Sequence, residues 1–191
     1  MRLGIFGGSF DPPHLGHLLA ATDALEHLSL DRVEWVPAAT QPLKVGKVVA
    51  SAEHRLAMVR LTVKKDQRFE VDEVEIERKG LSFTVETLEH FATRYPKAER
   101  YLLTGADVLE TFHQWREPKR VLELAHLAVL ERQGEPARLP KELEAGVSRL
   151  PTRRIDISST EIRERVRRGL SLRGFVTGSV ADYIARCGLY R

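Results

Sequence analysis

The feature that most constrains the fold is the alternation of strand-like and helix-like segments along the chain. Short apolar runs, such as RLGIF near the start, alternate with longer stretches in which apolar residues recur at helical spacing, such as LGHLLAATDALEHLSL. Strands separated by helices form βαβ units, and these build a mostly parallel sheet with helices on both faces. A chain of 191 residues suits one domain with a full core. We therefore expect a single α/β domain over residues 1–191.

The individual elements follow from the same pattern. The predicted strands are RLGIF, RVEWVPA, ERYLLTGAD, HLAVLER and RIDIS, and RFEVDEVEIERKG is either one bent strand or two short ones. The predicted helices are LGHLLAATDALEHLSL, SAEHRLAMVRLTVKKD, SFTVETLEHFATRYP, EPKRVLELA, STEIRERVRRG and GSVADYIARCG. Ser51 and Ser159 are the expected N-caps of two of these helices. Residues 133–152 are expected to form a surface excursion.

Four loops follow predicted strands and carry polar or glycine-rich sequence. They are 7–17, 38–47, 105–107 and 158–163. In open parallel sheets, ligands bind outside the carboxyl ends of the strands, at a switch in strand order. We therefore expect these loops to converge on one edge of the sheet and to form the functional site there.

Charge and composition disfavour several classes of protein. The net charge is only +3, which is too small to indicate a nucleic-acid partner by itself. No apolar run approaches the roughly 18 residues that span a membrane, and the first apolar stretch is too short for a signal peptide. A single cysteine excludes an internal disulfide framework and fits a reducing compartment. These observations predict a cytoplasmic protein without a membrane or nucleic-acid partner, and they are compatible with a homo-oligomer.

The opening loop, GIFGGSFDPPHLGH, has the general form of a phosphate cradle. Gly7 and Gly8 let the backbone approach a ligand, and the following helix start offers free amides. The segment is neither GxGxxG nor a Walker loop. His14 and His17 are three residues apart and share one helical face, but no Cys, Asp or Glu lies at a spacing that would complete a zinc site. The pair therefore predicts an anion site; the alternative is that Asp11 and the two prolines shape a turn and the histidines only cap the helix.

The segment ISSTEIRERVRRG is a second candidate for phosphate binding. Ser158, Ser159 and Thr160 lie at a predicted strand end and helix start, where hydroxyls and amides can bind phosphate oxygens. Arg163 follows one turn later and can present a planar fork to the same oxygens. The alternative is an ordinary helix cap.

Together, GIFGGSFDPPHLGH and ISSTEIR resemble the nucleotidyltransferase family with an H-x-G-H signature, in particular the bacterial nicotinate mononucleotide adenylyltransferases. The segments SFTVETL, TGADVLETFHQW and GLYR are also similar to that family, so the resemblance covers essentially the whole chain. It implies a Rossmann-like doubly wound parallel sheet with a small C-terminal helical part at about 158–191. It also implies an enzyme of NAD biosynthesis that joins ATP and nicotinate mononucleotide to give deamido-NAD and pyrophosphate.

The resemblance further implies a role for each matching residue. The catalytic residues would be His14, His17, Arg163 and Lys44. The ATP-binding residues would be Gly7, Gly8, Ser9, Phe10, His14, His17, Gly105, Asp107, Ile157, Ser158, Ser159, Thr160 and Arg163. Nicotinate mononucleotide would contact Phe83, Thr84, Trp115 and Lys44. At Lys44 the sequence departs from the family, because it reads QPLK where a PPHK-like loop is usual.

The implied chemistry needs positive charge and hydrogen-bond donors more than a nucleophilic side chain. A phosphate oxygen of the mononucleotide is already an anion, so no general base is required, and positioning and electrostatics supply the catalysis. Mg²⁺ would be bound mainly through the ATP phosphates, without a dedicated protein metal site. The alternatives are phosphopantetheine adenylyltransferase or another nucleotidyltransferase of the same superfamily and, more distantly, an RNA-binding module. Low charge and a lack of clustered aromatic residues count against an RNA-binding module.

Overall fold

The structure, a computed structural model, describes residues 1–42, 49–105, 109, 111–132, 147–153 and 155–191. In this part of the chain six strands form one sheet. They are β1 (Arg2–Gly8), β2 (Arg32–Pro37), β3 (Phe69–Val71), β4 (Glu99–Gly105), β5 (His126–Arg132) and β6 (Val147–Thr152). Every neighbouring pair is parallel, and the order is β3-β2-β1-β4-β5-β6. This is the strand order of the Rossmann fold, so the predicted fold class is confirmed.

Helices cover both faces of the sheet. Those that the described ranges contain are α1 (Leu15–His27), α2 (Ala52–Val63), α3 (Val74–Arg78), α4 (Thr84–Arg94), α5 (Pro118–Leu124), α6 (Ser159–Arg167) and α7 (Gly178–Cys187), with a 3₁₀ turn at Phe112–Gln114. Side chains of β1 alternate between the two faces. Phe6 packs into an apolar cluster with α1, whereas Leu3 and Ile5 pack into a second cluster with α4. A third cluster joins α7 and α6 to Met58 of α2, and it forms the C-terminal helical part.

The prediction of the last strand is wrong. The sequence favours RIDIS, but β6 lies at Val147–Thr152, inside the segment predicted to be a surface excursion. Among the described strands β6 pairs only with β5, which makes it the edge strand of the described sheet, and Ser148, Arg149 and Pro151 are exposed. An edge strand tolerates proline and polar residues, so the apolar signal that identifies the buried strands is weak here.

The segment DEVEIERKG forms a helix rather than the predicted strand. β3 ends at Val71, and α3 follows at Val74–Arg78. The Asp72 carboxylate accepts a hydrogen bond from the Val74 N–H at 2.8 Å. An aspartate that bonds its backbone two residues ahead turns the chain and ends the strand, although apolar and polar residues continue to alternate.

Candidate active site

A cavity of about 350 Å³ opens at the carboxyl ends of β1 and β4, where the strand order reverses. This is the position at which open parallel sheets bind ligands. The predicted site residues that line it are Gly7, Gly8, Phe83, Thr84, Gly105 and Trp115. The structure thus brings residues from the ends of two strands and from the start of α4 to one place.

The two glycines of the opening loop lie at the floor of this cavity and differ in their surroundings. A Cβ on Gly7 would have no atom of the described residues within 4 Å. A Cβ on Gly8 would lie 2.9 Å from the Phe10 ring, which folds back over it. Phe10 itself has a φ of 48°, in the left-handed region that non-glycine residues seldom adopt. The Phe10 side chain is directed inward, where it is buried against Gly8, and Gly7 is left exposed.

His14 and His17 form a reciprocal cap at the start of α1. The His17 N–H donates to His14 Nδ1 at 3.3 Å, and the His14 N–H donates to His17 Nδ1 at 3.2 Å. The two rings are stacked, with centroids 3.6 Å apart. Because each Nδ1 accepts a backbone proton, a neutral ring carries its own proton on Nε2. The histidines therefore do cap the helix, and the cap fixes the tautomer of the pair. The anion site stays a prediction.

Gly16 is the residue of the H-x-G-H segment that sequence reasoning missed. A Cβ at this position would lie 2.9 Å from His14 Nδ1 and 3.0 Å from its Cε1. The glycine therefore makes room for the His14 ring inside the first turn. His17 rests against Phe10, with ring centroids 5.2 Å apart, and Phe10 in turn packs against Trp35.

Asp11 anchors the opening loop to distant parts of the chain. Its buried carboxylate accepts the N–H groups of Val49 and Ala50 at 2.7 and 3.0 Å and the hydroxyl of Tyr190 at 2.8 Å. Burial, together with the Asp11 charge, raises the pKa of the Tyr190 hydroxyl far above its ordinary value. The hydroxyl therefore stays protonated and donates, and a residue near the end of the sequence holds the first loop in place.

A buried arginine supports the same loop from α2. Arg55 donates to the backbone carbonyls of Ser9, Ala39 and Ala50 at 2.8, 2.9 and 3.3 Å. Burial lowers the pKa of this guanidinium, and the neighbouring Asp11 carboxylate opposes the shift. Neither Asp11 nor Arg55 has a role in the family-based assignment, although an arginine between apolar residues of a helix was a signal that could have been used.

The start of α6 lies directly against the opening loop. Ser159 donates its hydroxyl to the Pro12 carbonyl at 2.8 Å, and Arg163 donates to the Asp11 carbonyl at 2.8 Å and to the Thr160 hydroxyl at 3.1 Å. The N-cap is Ser158, which accepts the Glu161 N–H, so the prediction of Ser159 as the cap is wrong by one residue. Ile157 is half-buried against the C-terminal cluster. The two predicted phosphate-binding motifs are therefore adjacent in space.

The far wall of the cavity is built around the start of α4. Phe83 is the N-cap and has extended backbone, with no side chain capping the helix, and Thr84 is the first helical residue. Trp115 follows the 3₁₀ turn and packs on Phe112, with ring centroids 5.1 Å apart. Arg116 lies over the Phe83 ring and donates to Glu86 at 2.7 Å. An uncapped helix start beside an aromatic wall suits a planar ring that carries an anionic group.

Two predicted site residues, Lys44 and Asp107, lie outside the described residues. The described part of the chain contains no group of three or more His, Cys, Asp or Glu side chains arranged to hold a metal ion. Among the described helices, none has both the length and the apolar character needed to cross a membrane.

Comparison with known proteins gives one family throughout. Residues 5–165 match the cytidylyltransferase-like family. A protein of Gemmatimonas aurantiaca named probable nicotinate-nucleotide adenylyltransferase is 54% identical, over 100% of this chain and 93% of its own. One of the same name from Thermus thermophilus is 46% identical over the full length of both chains. The structure of Plasmodium falciparum nicotinic acid mononucleotide adenylyltransferase complexed with NaAD superposes with a TM-score of 0.77 at 18% identity, covering 99% of this chain and 97% of that one.

Proposed function

The chain belongs to the cytidylyltransferase-like family and, within it, to the nicotinate-nucleotide adenylyltransferases, and from this premise we propose how it works. It transfers the adenylyl group of ATP to nicotinate mononucleotide. The products are deamido-NAD and pyrophosphate, so the enzyme acts in NAD biosynthesis.

The observation that carries this proposal is the adjacency of two unlike subsites at one sheet edge. Gly7, Gly8 and the H-x-G-H cap form an end of the site that is rich in hydrogen-bond donors. The start of α4 and Trp115 form the other end, which suits a planar aromatic ring. Gly7 and Gly8 belong to both, because they line the cavity and precede the histidines. A nucleotidyltransferase must hold two nucleotides so that their phosphates meet, and this floor is the meeting point.

The chemical step is an in-line displacement at the α-phosphorus of ATP. A phosphate oxygen of the mononucleotide forms the new P–O bond, and the bond to pyrophosphate breaks. The nucleophile is anionic, so no side chain has to remove a proton. The main obstacle is the repulsion between two anions and the charge that develops on the leaving group.

Hydrogen-bond donors and positive charges of the site would offset this repulsion. Nε2–H groups of His14 and His17 would bind the α-phosphate and the leaving group, with the backbone of Gly7 and Gly8 beneath them. Arg163, Thr160 and the start of α6 would hold the β- and γ-phosphates. Arg163 already donates to the opening loop, so it would position that loop and bind phosphate with its remaining N–H groups.

At the other end, the amides at the start of α4 would bind the nicotinate carboxylate, and Trp115 would pack on the ring. A neutral amide forfeits the charge-assisted part of that interaction, on the order of 1–3 kcal/mol, or about 5- to 150-fold. We therefore expect kcat/KM for nicotinate mononucleotide to exceed that for nicotinamide mononucleotide by at least about tenfold.

Mg²⁺ would enter with ATP, held by its phosphates and by water. Asp11, the carboxylate of the opening loop, is buried and already accepts hydrogen bonds from Val49, Ala50 and Tyr190, so it does not fit as a metal ligand. ATP and nicotinate mononucleotide are the proposed partners, and the cytoplasm, where both occur, is the proposed location.

The deciding experiment is to incubate the protein with ATP, Mg²⁺ and a panel of acceptors, and to identify the adenylylated product by mass spectrometry. The panel contains nicotinate mononucleotide, nicotinamide mononucleotide and phosphopantetheine. Deamido-NAD as the main product supports the proposal. Adenylylation of phosphopantetheine, or no adenylylation of any acceptor, contradicts it.

A further inference from the structure

A second carboxyl group lines the cavity that would receive the nicotinate ring. Glu75 of α3 is 6% exposed, and it shares the cavity wall with Ser82, Phe83 and Thr84. Its Oε1 accepts the Thr87 hydroxyl at 2.5 Å, and its side chain is also hydrogen-bonded to Ser82. Glu75 thus lies beneath the start of α4, on the side that faces the cavity.

The charges around Glu75 are mixed. Arg78, on the same helix, donates to Thr87 at 3.4 Å and pairs with Glu86 of α4 at 3.2 Å. Glu86 also pairs with Arg116, and the Arg55 guanidinium faces Glu75 from α2. No described ion pair joins Glu75 to any of these arginines within 4.0 Å. Burial and, to a smaller extent, the Glu86 charge raise the pKa of the Glu75 carboxyl above its ordinary value, while the hydrogen bonds from Thr87 and Ser82 and the Arg78 charge oppose that shift.

A nicotinate carboxylate at the start of α4 would share the cavity with this buried side chain. Two carboxylates that share such a site cannot both be ionised without mutual repulsion, so the proton affinity of one of them rises. Because the amides of α4 favour the charged form of the substrate carboxylate, we expect Glu75 to be the carboxyl group that is protonated in the complex. Nicotinamide carries no charge and imposes no such requirement.

We propose that Glu75 determines substrate specificity: it is uncharged when nicotinate mononucleotide is bound, and in its charged form it selects against the acid relative to the neutral amide. This inference rests on the proposed function. It predicts that discrimination between the two mononucleotides depends on pH, although neither pyridine substituent titrates near neutrality.

The test measures kcat/KM for both mononucleotides with saturating ATP and Mg²⁺ from pH 5.5 to 9.5. The ratio of the two values cancels the titration of ATP, of the substrate phosphate and of the histidines, because the two reactions share them. In the wild-type enzyme we expect the acid-to-amide ratio to fall by at least about tenfold as the pH rises, which is the scale of repulsion between two partly screened charges. In Glu75→Gln we expect a ratio that does not change with pH.

Glu86→Gln is the matched control. It removes one negative charge on α4 that pairs with Arg78 and Arg116 and is 30% exposed. It should keep a fall of the same size in the acid-to-amide ratio, displaced to lower pH because the Glu86 charge contributes to the raised pKa of Glu75. Calorimetric titration in buffers of different ionisation enthalpy gives a second readout. At the upper end of the range, the wild type should take up a proton when it binds nicotinate mononucleotide, and none when it binds the amide.

A ratio that stays flat in the wild type overturns the inference, and so does a Glu75→Gln enzyme that keeps the wild-type fall. If the acid-to-amide ratio also stops changing with pH in Glu86→Gln, the pH dependence comes from the general charge of the region and not from Glu75. That result would overturn the inference as well. An enzyme that adenylylates neither mononucleotide at any pH contradicts the proposed function instead, so the two failures are distinguishable.

Discussion

Replacing Thr84 with proline tests whether the Thr84 backbone N–H donates a hydrogen bond to the substrate carboxylate. Thr84 is the first residue of α4, a position where proline is well tolerated because its missing N–H has no partner within the helix. The preceding residue, Phe83, has φ −96° and ψ 127°, which is the extended region that a residue before proline prefers. The substitution therefore deletes one donor that faces the cavity and leaves the helix in place.

The expected loss differs between the two mononucleotides. A hydrogen bond to a charged group contributes about 1.5–3 kcal/mol, so kcat/KM for nicotinate mononucleotide should fall roughly 10- to 150-fold. The neutral amide loses a bond of about 0.5–1.5 kcal/mol at most, or roughly 2- to 12-fold. We therefore expect the preference for the acid to drop by about an order of magnitude.

Two control variants isolate the amide. Thr84→Ala removes the same side chain and keeps the N–H, so the difference between Thr84→Pro and Thr84→Ala measures the donor alone. Ala52→Pro places proline at the first position of α2, where the preceding Ser51 has φ −61° and ψ 161°. Ala52 is not among the residues that line the cavity. Steady-state kinetics and thermal melts of all three variants are required. If Thr84→Pro and Thr84→Ala lose the same activity toward the acid, the amide does not bind the carboxylate.

Four further substitutions test the opening loop. Tyr190→Phe removes a buried hydrogen bond to a carboxylate and should lower the free energy of unfolding by about 1.5–3 kcal/mol in denaturant melts. Tyr183→Phe, the control, loses half-buried contacts to His54 and Cys187 and should lower it by less than about 1 kcal/mol; equal losses would contradict the anchor. His17→Ala should reduce kcat by about 10²–10³ while circular dichroism remains unchanged, and near-normal turnover would remove the side chain from the mechanism. Arg163→Lys should recover little of the activity that Arg163→Ala loses, because an ammonium lacks the fork that reaches two acceptors, and full recovery would reduce Arg163 to a diffuse charge. Gly16→Ala should lower kcat at least about tenfold with the fold intact, because its Cβ displaces the His14 ring that the proposed mechanism uses, and wild-type turnover would show that the ring position is unimportant.

The sequence predicts most of the fold because the central elements carry strong local signals. β1, β2, β4 and β5 are short apolar runs bounded by turn residues, and α1, α2 and α4 show helical spacing of their apolar residues. β6 and α3 escape prediction for a common reason. They lie near the edges of the domain, where half-exposed residues blur the apolar pattern and a single polar contact, such as that of Asp72, decides the conformation.

The candidate site also has a part that the sequence predicts and a part that it does not. Gly7, Gly8, His14 and His17 are close in sequence, and the geometry of one strand, one turn and one helix start brings them together. The positioning residues come from far along the chain: Tyr190 contacts Asp11 across 179 positions, and Arg55 reaches Ser9 across 46. No local pattern encodes such contacts, and the burial of Glu75 in the cavity wall likewise depends on the packing of α3 beneath α4.

The position of β1 in the sheet affects how the chain is made. Of the six strands of the sheet, β1 is synthesised before the others, and its partner on one side, β2, begins at residue 32, where Leu3 pairs with Arg32. The partner on the other side, β4, is synthesised much later, since Arg2 pairs with Glu99. Over that interval an apolar strand presents one edge of unpaired N–H and C=O groups, which is a template for association between chains. The nascent chain is therefore most exposed to aggregation at the strand that ends in the glycine floor, and a chaperone that binds extended apolar segments would act there first.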